Sequence, residues 1–181
     1  MPGETLAHDP GGKTRLALQP GVIGAAEFSA CGRYRYWLSR DWSGLAGTPF
    51  VLWIAMNPST AESDVDDPTI RKEIGFTRRE GFSRLVKANV MDFRSTSPAG
   101  LMSAGIAPCS DRNRLEIQRL ASDASLIIVA FGKLHKSLRR YGDRALNDLR
   151  GRELWCLGKN SDGSPKHPLY LAADTPLERF R

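Results

Sequence analysis

The stretch "LWIAMNPSTAESDVDDPT", residues 52–69, decides the fold, because an apolar run stops at an Asn-Pro pair and a cluster of carboxylates follows. The run over residues 51–56 is too continuously apolar for a strand with one wet face. It predicts a strand in the middle of a parallel sheet covered on both sides. Pro58 lacks an N–H group and biases Asn57 toward an extended or turn conformation, which ends the strand. In open α/β sheets ligands bind beyond the carboxyl ends of strands, so a site is predicted directly after this strand.

The polar residues of this turn allow two interpretations. They can bind a ligand at the strand end, or they can serve only to start the next helix. Asp before Pro in a first helical turn is a strong helix-start signal, so Asp66 and Asp67 are candidates both for a carboxylate that activates a water and for a helix cap. The candidate site residues of the turn are Met56, Asn57, Pro58, Ser59, Thr60, Asp66 and Asp67.

Length and composition are those of an ordinary globular domain. A chain of 181 residues can bury a core without disulfides or a structural metal. A net charge of +6 fits a phosphate-rich partner without establishing one. The three cysteines are far apart and unpaired with His, which predicts reduced thiols and no metal. The sequence has neither a P-loop nor a dinucleotide-binding motif, so no cofactor is predicted. No stretch reaches the roughly 18 apolar residues of a membrane span and no apolar signal core is present, so we expect a cytoplasmic protein without membrane association.

The remaining pattern predicts strands that alternate with helices. Residues 1–30, rich in Gly, Pro and Ala, predict a flexible arm, and residues 31–181 a single α/β domain. Helices are predicted over 68–80, 111–121 and 135–149, the second with Leu115, Ile117 and Leu120 inward, and buried strands over 51–56, 83–89, 125–132 and 153–158. Such alternation indicates an α/β sandwich with a mostly parallel sheet. The segment "RYRYWLSR" predicts a half-exposed edge strand in which one face carries Tyr34, Tyr36 and Leu38 and the other Arg33, Arg35 and Ser39.

Further candidate residues follow the other predicted strands, at the points where each strand ends. Because the carboxyl ends of parallel strands share one edge of a sheet, we expect them on one rim. An Asn can orient a water or read an amide-like ligand edge, and a His can donate to an oxyanion or act as an acid. A capping Asn and a surface-loop His are the structural alternatives. These candidates are Asn89, Arg94, Gly132, Lys133, Lys166, His167 and Pro168.

Two resemblances arise from these motifs. The segments "MNPSTAESDVDDPTIRKEIGFTRREGFSRLVKANVMDFRSTSP", "FG" and "CLGKNSDGSPKHPLYL" resemble an uncharacterised bacterial and phage family of unknown function, over about residues 33–177. More distantly, the motif order resembles the uracil-DNA glycosylase superfamily: strands that end in an Asn-Pro turn, in Asn and in a Gly-Lys turn, then a late His-Pro loop. The second resemblance implies a three-layer α/β/α sandwich with a central, mostly parallel four-stranded sheet.

The glycosylase resemblance also implies roles for individual residues. Asn57 would orient the attacking water, Asn89 would read the base edge and His167 would stabilise the departing base, which such enzymes first flip out of the DNA stack. Asp66 or Asp67 would supply a carboxylate to the water. The chain departs from the pattern by its acidic insertion and where Ser59 replaces a Gly and Leu169 a Ser.

The sequence therefore supports one leading hypothesis and two alternatives. The leading one is a protein that recognises an uncommon or modified base in DNA and hydrolyses its N-glycosidic bond. One alternative is a non-catalytic module that binds a modified base or a nucleotide. The other is a hydrolase of small nucleosides or nucleotides. The expected partners are DNA and a nucleobase or nucleotide ligand, and neither the base nor the oligomeric state follows from the sequence.

Overall fold

The structure is a computed structural model that describes residues 14–181. Within this part of the chain, no helix has the length and apolar character needed to cross a membrane. The strands are β1 Leu16–Ala17, β2 Ile23–Phe28, β3 Arg35–Asp41, β4 Val51–Ala55, β5 Val65–Asp66, β6 Arg84–Asn89, β7 Leu126–Val129, β8 Trp155–Cys156 and β9 Glu178–Arg179. The helices are α1 Pro68–Arg79, α2 Asp111–Asp123 and α3 Arg139–Asp148, with short 3-10 helices at Pro98–Met102 and Pro168–Tyr170.

The main sheet is mixed, with a parallel centre. Its seven strands lie in the order β2-β3-β6-β4-β7-β8-β9. The four central strands β6, β4, β7 and β8 pair in parallel, while β2, β3 and β9 add antiparallel pairings at the two sides. β1 and β5 form a separate antiparallel pair. The predicted α/β class and parallel centre are confirmed, and the seven-stranded sheet is wider than the four-stranded one that the glycosylase resemblance implies.

Strand β4 lies at the centre and is covered on both faces. Leu52 and Ile54 contribute to a core with residues of α2 and α3, whereas Val51 and Trp53 contribute to a second core with residues of α1. All five β4 residues are buried, as the apolar run predicts. The inward prediction for α2 is correct for Ile117 and Leu120 but wrong for Leu115, whose exposed fraction is 66%.

The predicted flexible arm is wrong where the structure describes it. β2 pairs along its length with β3 and forms the edge of the sheet, so β3 is not an edge strand. The small residues of β2 serve close packing: a Cβ built on Gly24 would lie 1.9 Å from the Ser63 carbonyl oxygen. Low hydrophobicity therefore reflects tight contact here and not a loose chain. Residues 1–13 of the predicted arm lie outside the described residues.

A β-bulge in β3 changes which side chains face which layer. Pairing with β2 jumps from Trp37 to Arg35, so Tyr36 is an extra residue. Trp37 packs against the core that contains α2, and the Arg112 guanidinium carbon of α2 lies 4.2 Å from the Tyr36 ring centroid. Arg35 points to the other side and donates from Nη1 to the Ala61 carbonyl at 2.7 Å. The alternation predicts Tyr36 on the face of Leu38 and Arg35 on the opposite face, and the bulge exchanges the faces of the two residues.

Helix α1 begins and ends where the sequence predicts. Asp67 is its N-cap, with Oδ1 accepting a hydrogen bond from the Ile70 N–H at 2.9 Å, and Pro68 occupies the first turn. The chain leaves the helix through Gly81, whose φ of +81° favours glycine. The start of α1 is thereby fixed close to the end of β4.

Candidate functional site

A pocket of about 440 Å³ lies at the carboxyl end of β4, and this volume is within the range of small-molecule sites. Its wall comes from the turn after β4, the start of α1, the loop over 95–98 and the 3-10 helix after His167. A larger cavity of about 490 Å³ lies at the opposite, amino end of the central strands. Ligands of open α/β sheets bind at the carboxyl ends, so the first pocket is the candidate site.

The pocket brings together residues that are far apart in sequence. The predicted residues that line it are Met56, Asn57, Ser59, Asp67 and His167. The other predicted residues do not line it: Pro58, Thr60, Asp66, Asn89, Arg94, Gly132, Lys133, Lys166 and Pro168.

Asn57 is held in one orientation by backbone carbonyls. Its Nδ2 donates to the Pro58 carbonyl at 2.9 Å and to the Ser95 carbonyl at 2.8 Å. Two carbonyl acceptors require the amide nitrogen on this side, so the network assigns the amide orientation. The Oδ1 atom is then the polar group that can accept a hydrogen bond from a water or a ligand.

His167 is held at the start of its 3-10 helix. Its Nδ1 accepts a hydrogen bond from the Leu169 N–H at 3.3 Å. A ring that accepts through Nδ1 carries its proton on Nε2, so His167 can present an N–H donor. A Cβ built on Gly132 would lie 3.4 Å from the His167 Cβ, and Gly132 also has a φ of +69°. Gly132 therefore lies close to His167 but outside the pocket.

The two neighbouring carboxylates separate. Asp67 lines the pocket and uses Oδ1 for the helix cap, while its Oδ2 forms no hydrogen bond within residues 14–181. Asp66 is fully buried outside the pocket, with Oδ1 2.7 Å from Arg40 Nε and Oδ2 2.6 Å from Arg71 Nε. Asp66 and Asp67 of the acidic segment are thus buried, whereas Asp64 is exposed. Of the two predicted carboxylates, Asp67 faces the pocket and Asp66 pairs with two arginines.

Two cationic residues of the wall were missed by the sequence analysis. Arg35 and Lys87 line the pocket and are 1% and 4% exposed. Lys87 Nζ lies 2.8 Å from Glu73 Oε1, and burial raises the pKa of Glu73. Burial also lowers the pKa of Arg35 to about 10. A lysine inside an otherwise apolar strand was the available signal for Lys87, whereas Arg35 depends on the bulge.

Asn89 lies on the predicted rim but behind the pocket. It ends β6 beside Ala55 of β4, and its side chain is completely buried. Its Oδ1 accepts from Arg35 Nη2 at 3.4 Å. Asn89 therefore contacts Arg35 and does not itself line the pocket.

The remaining predicted residues have other neighbours. Arg94 Nη2 lies 2.7 Å from Glu62 Oε1, and its guanidinium stacks on Phe28. Lys133 Nζ lies 4.0 Å from Asp162 Oδ2 and is largely exposed.

At the pocket wall, Tyr170 is 90% exposed. Sequence reasoning missed Tyr170, which follows the His-Pro motif by only two residues.

Among residues 14–181, no cluster of three or more His, Cys, Asp or Glu residues has the geometry of a metal centre. The polar groups of the site are instead single donors and acceptors from different segments. Such a set can hold a water, donate to an anion and orient a polar ligand.

The pocket residues between Arg35 and Leu169 lie within the part of the chain that matches a known protein family. Residues 35–169 match a family described as "Protein of unknown function (DUF1643)". The chain belongs to the DUF1643 family. Comparison with curated proteins and with solved structures found no match. In this DUF1643 chain the matched range contains all four parallel strands and all three helices.

Proposed function

We propose that this protein binds a nucleobase in the pocket beyond β4 and hydrolyses its N-glycosidic bond, as the resemblance to uracil-DNA glycosylases implies. The observation that carries the proposal is the anchoring of Asn57. Both N–H groups of its amide go to backbone carbonyls, so Oδ1 remains as a fixed acceptor of a residue that lines the same pocket as Asp67 and His167. Fixed acceptors and donors around a cavity are what hydrolysis by an oriented water requires.

The proposed reaction uses three side chains. Asn57 Oδ1 and the Asp67 carboxylate accept hydrogen bonds from a water, which attacks the anomeric carbon of the sugar. The bond between carbon and base nitrogen breaks, and its electron pair stays on the base. The Nε2–H of His167 donates to the anionic base, while Asp67 takes the proton released by the water.

An exposed aromatic residue supports a base as the ligand. Tyr170 lines the pocket and is 90% exposed. Such exposure leaves most of the tyrosine ring in water, where a ligand can cover it. Stacking of a base on an aromatic side chain contributes about 1–3 kcal/mol. Tyr170 would therefore stack on a base as the base enters the pocket.

The arrangement of strands and helices supports the glycosylase resemblance, whereas the position of Asn89 does not. Four parallel central strands, with core residues from α1 on one face and from α2 and α3 on the other, support the three-layer sandwich. The buried position of Asn89 does not support a direct base reader. Arg35, which contacts Asn89, lines the pocket in its place.

The basic face of α1 gives DNA binding little support. Lys72 Nζ donates to the Leu171 carbonyl at 2.7 Å, and Arg79 donates to the Thr175 carbonyl at 2.6 Å. These cations hold the C-terminal segment against the helix. A hydrolase of free nucleotides is therefore the second candidate, and the buried cations Arg35 and Lys87 in the pocket wall favour it.

One experiment separates these functions. The protein is incubated with oligonucleotides that carry deaminated, oxidised and hypermodified bases, and abasic sites are detected by alkaline cleavage. The same bases are supplied as nucleosides and nucleotides, with release followed by chromatography. Abasic product from an oligonucleotide supports the proposal, release from free nucleotides alone supports the second candidate, and selective binding without release would show a binding module.

A further inference from the structure

Two arginines of strand β3 are buried to the same degree but differ in their partners. Arg35 is 1% exposed and Arg40 is completely buried. The Arg40 side chain makes five hydrogen bonds, one of them to Asp66. The Arg35 side chain makes two, to the Ala61 carbonyl and to Asn89 Oδ1. The two residues share strand, burial and residue type, so none of these explains why Arg35 makes fewer hydrogen bonds than Arg40.

Arg35 also lacks an ion pair. Within residues 14–181 no carboxylate lies within 4.0 Å of its guanidinium, and its Nε has no hydrogen-bond partner. The amide nitrogen of the neighbouring Asn89 is likewise buried, with no hydrogen-bond partner in the described part of the chain. A buried charge without a direct counterion is strongly unfavourable, and buried donors are nearly always satisfied. The pocket that Arg35 lines is the place from which a counterion can come.

The surrounding charges define what fits. Lys87 lines the same wall but is already paired with Glu73 at 2.8 Å. Asp67, also in the wall, attracts the Arg35 charge from a distance without contacting it. A guanidinium is a planar fork that matches two oxygens of a carboxylate or phosphate. An oxyanion that enters the pocket would therefore contact the Arg35 guanidinium directly, which Asp67 does not do.

We propose that Arg35, supported by Asn89, forms an anion-binding subsite at the floor of the pocket, which takes a carboxylate or phosphate group of the ligand. The inference rests on the proposed function, because it names the substrate class of the same pocket. Two sources share this chemistry. A base that carries a carboxylate would place it at the floor, or a nucleoside monophosphate would enter with its phosphate first and leave its base near Tyr170.

The test measures binding in the wild-type chain and in three variants. The probes are inorganic phosphate, a nucleoside with and without a 5′-phosphate, and a pyrimidine nucleoside with and without a 5-carboxylate, each titrated by calorimetry and by shift in melting temperature. Arg35→Lys keeps the charge and loses the fork, and should weaken binding roughly tenfold or more. Arg40→Lys is the matched control and should lower stability without changing affinity. Asp67→Asn removes a competing negative charge and should strengthen binding.

The outcomes separate this inference from the proposed reaction. Selective binding of the phosphate pair or of the carboxylate pair identifies the source, and loss of that selectivity in Arg35→Lys supports the subsite even if no base is ever released. Base release from uncharged substrates, with no anion bound by wild type, would overturn the subsite and leave the reaction standing. If Arg35→Lys does not fold, equal anion affinity in wild type and Asp67→Asn overturns the inference.

Discussion

Asp66 and Asp67 are adjacent carboxylates, and the structure predicts that the same substitution will have very different effects at the two positions. Asp66→Asn leaves the guanidinium of Arg40, completely buried, without an ionic partner. Asp67→Asn keeps a side-chain oxygen for the N–H of Ile70, and Asn caps helices as well as Asp does.

The expected magnitudes follow from burial. Removing one partner of a buried ion pair costs about 3–5 kcal/mol, because the other charge stays buried. The four other hydrogen bonds of Arg40 go to carbonyls, so no second carboxylate among the described residues compensates. For a domain of this size that loss lowers the melting temperature by roughly 6–20 °C. Asp67→Asn keeps the helix cap and loses only a longer-range attraction to Arg35, so it should change the free energy of unfolding by about 1 kcal/mol or less.

Urea denaturation followed by tryptophan fluorescence measures both values, and unchanged slopes would show that the unfolded states are comparable. Arg71→Met is a useful control: Arg71 is 29% exposed, so its loss from Asp66 should have a smaller effect than the loss of the carboxylate itself. Equal destabilisation by Asp66→Asn and Asp67→Asn would refute the separation of the pair into an ion-pairing and a pocket carboxylate.

Three further outcomes are expected. His167→Ala should slow base release roughly 10²–10³-fold, as loss of an oxyanion donor does. Asn57→Ala should abolish base release and also lower the free energy of unfolding by about 2 kcal/mol, because two hydrogen bonds to carbonyls are lost. Unchanged release rates in both variants would exclude these roles. DNA binding should weaken modestly with salt, and salt-independent affinity would argue for a small ligand. Hydrogen bonds from Ser29 and from the Arg33 backbone lower the pKa of the exposed Cys31 thiol to about 7, so its alkylation rate should rise with pH around a midpoint near 7. Burial raises the pKa of the Cys109 and Cys156 thiols, which should therefore be alkylated only at higher pH.

The elements that local signals specify could be predicted from the sequence. The apolar run of β4 and the Asp-Pro start and glycine end of α1 depend on neighbours within a few residues, and the structure has them where the sequence indicates. β2 could not be predicted, because its small residues pack against a loop about 40 positions away and have no apolar alternation of their own.

The candidate site was predictable only in part, for the same reason. Asn57 and His167 follow strand ends, and topology alone predicts one rim for them. The separation of Asp66 from Asp67 depends on Arg40, which is 26 residues away. No local pattern reveals that partner. Asn89 reached the predicted rim, but whether it faces the pocket depends on Arg35 in front of it.

The bulge in β3 means that the backbone, and not only the list of side chains, sets the polarity of the pocket floor. A regular strand of identical sequence would turn Tyr36 to that side and Arg35 toward α2. Deleting Tyr36 would instead give a regular strand that keeps Arg35 in place. Related chains could therefore exchange a cationic floor for an aromatic one through a change in strand register, with every residue of the pocket motifs conserved. Family members are best compared by the presence of this extra residue as well as by their motifs.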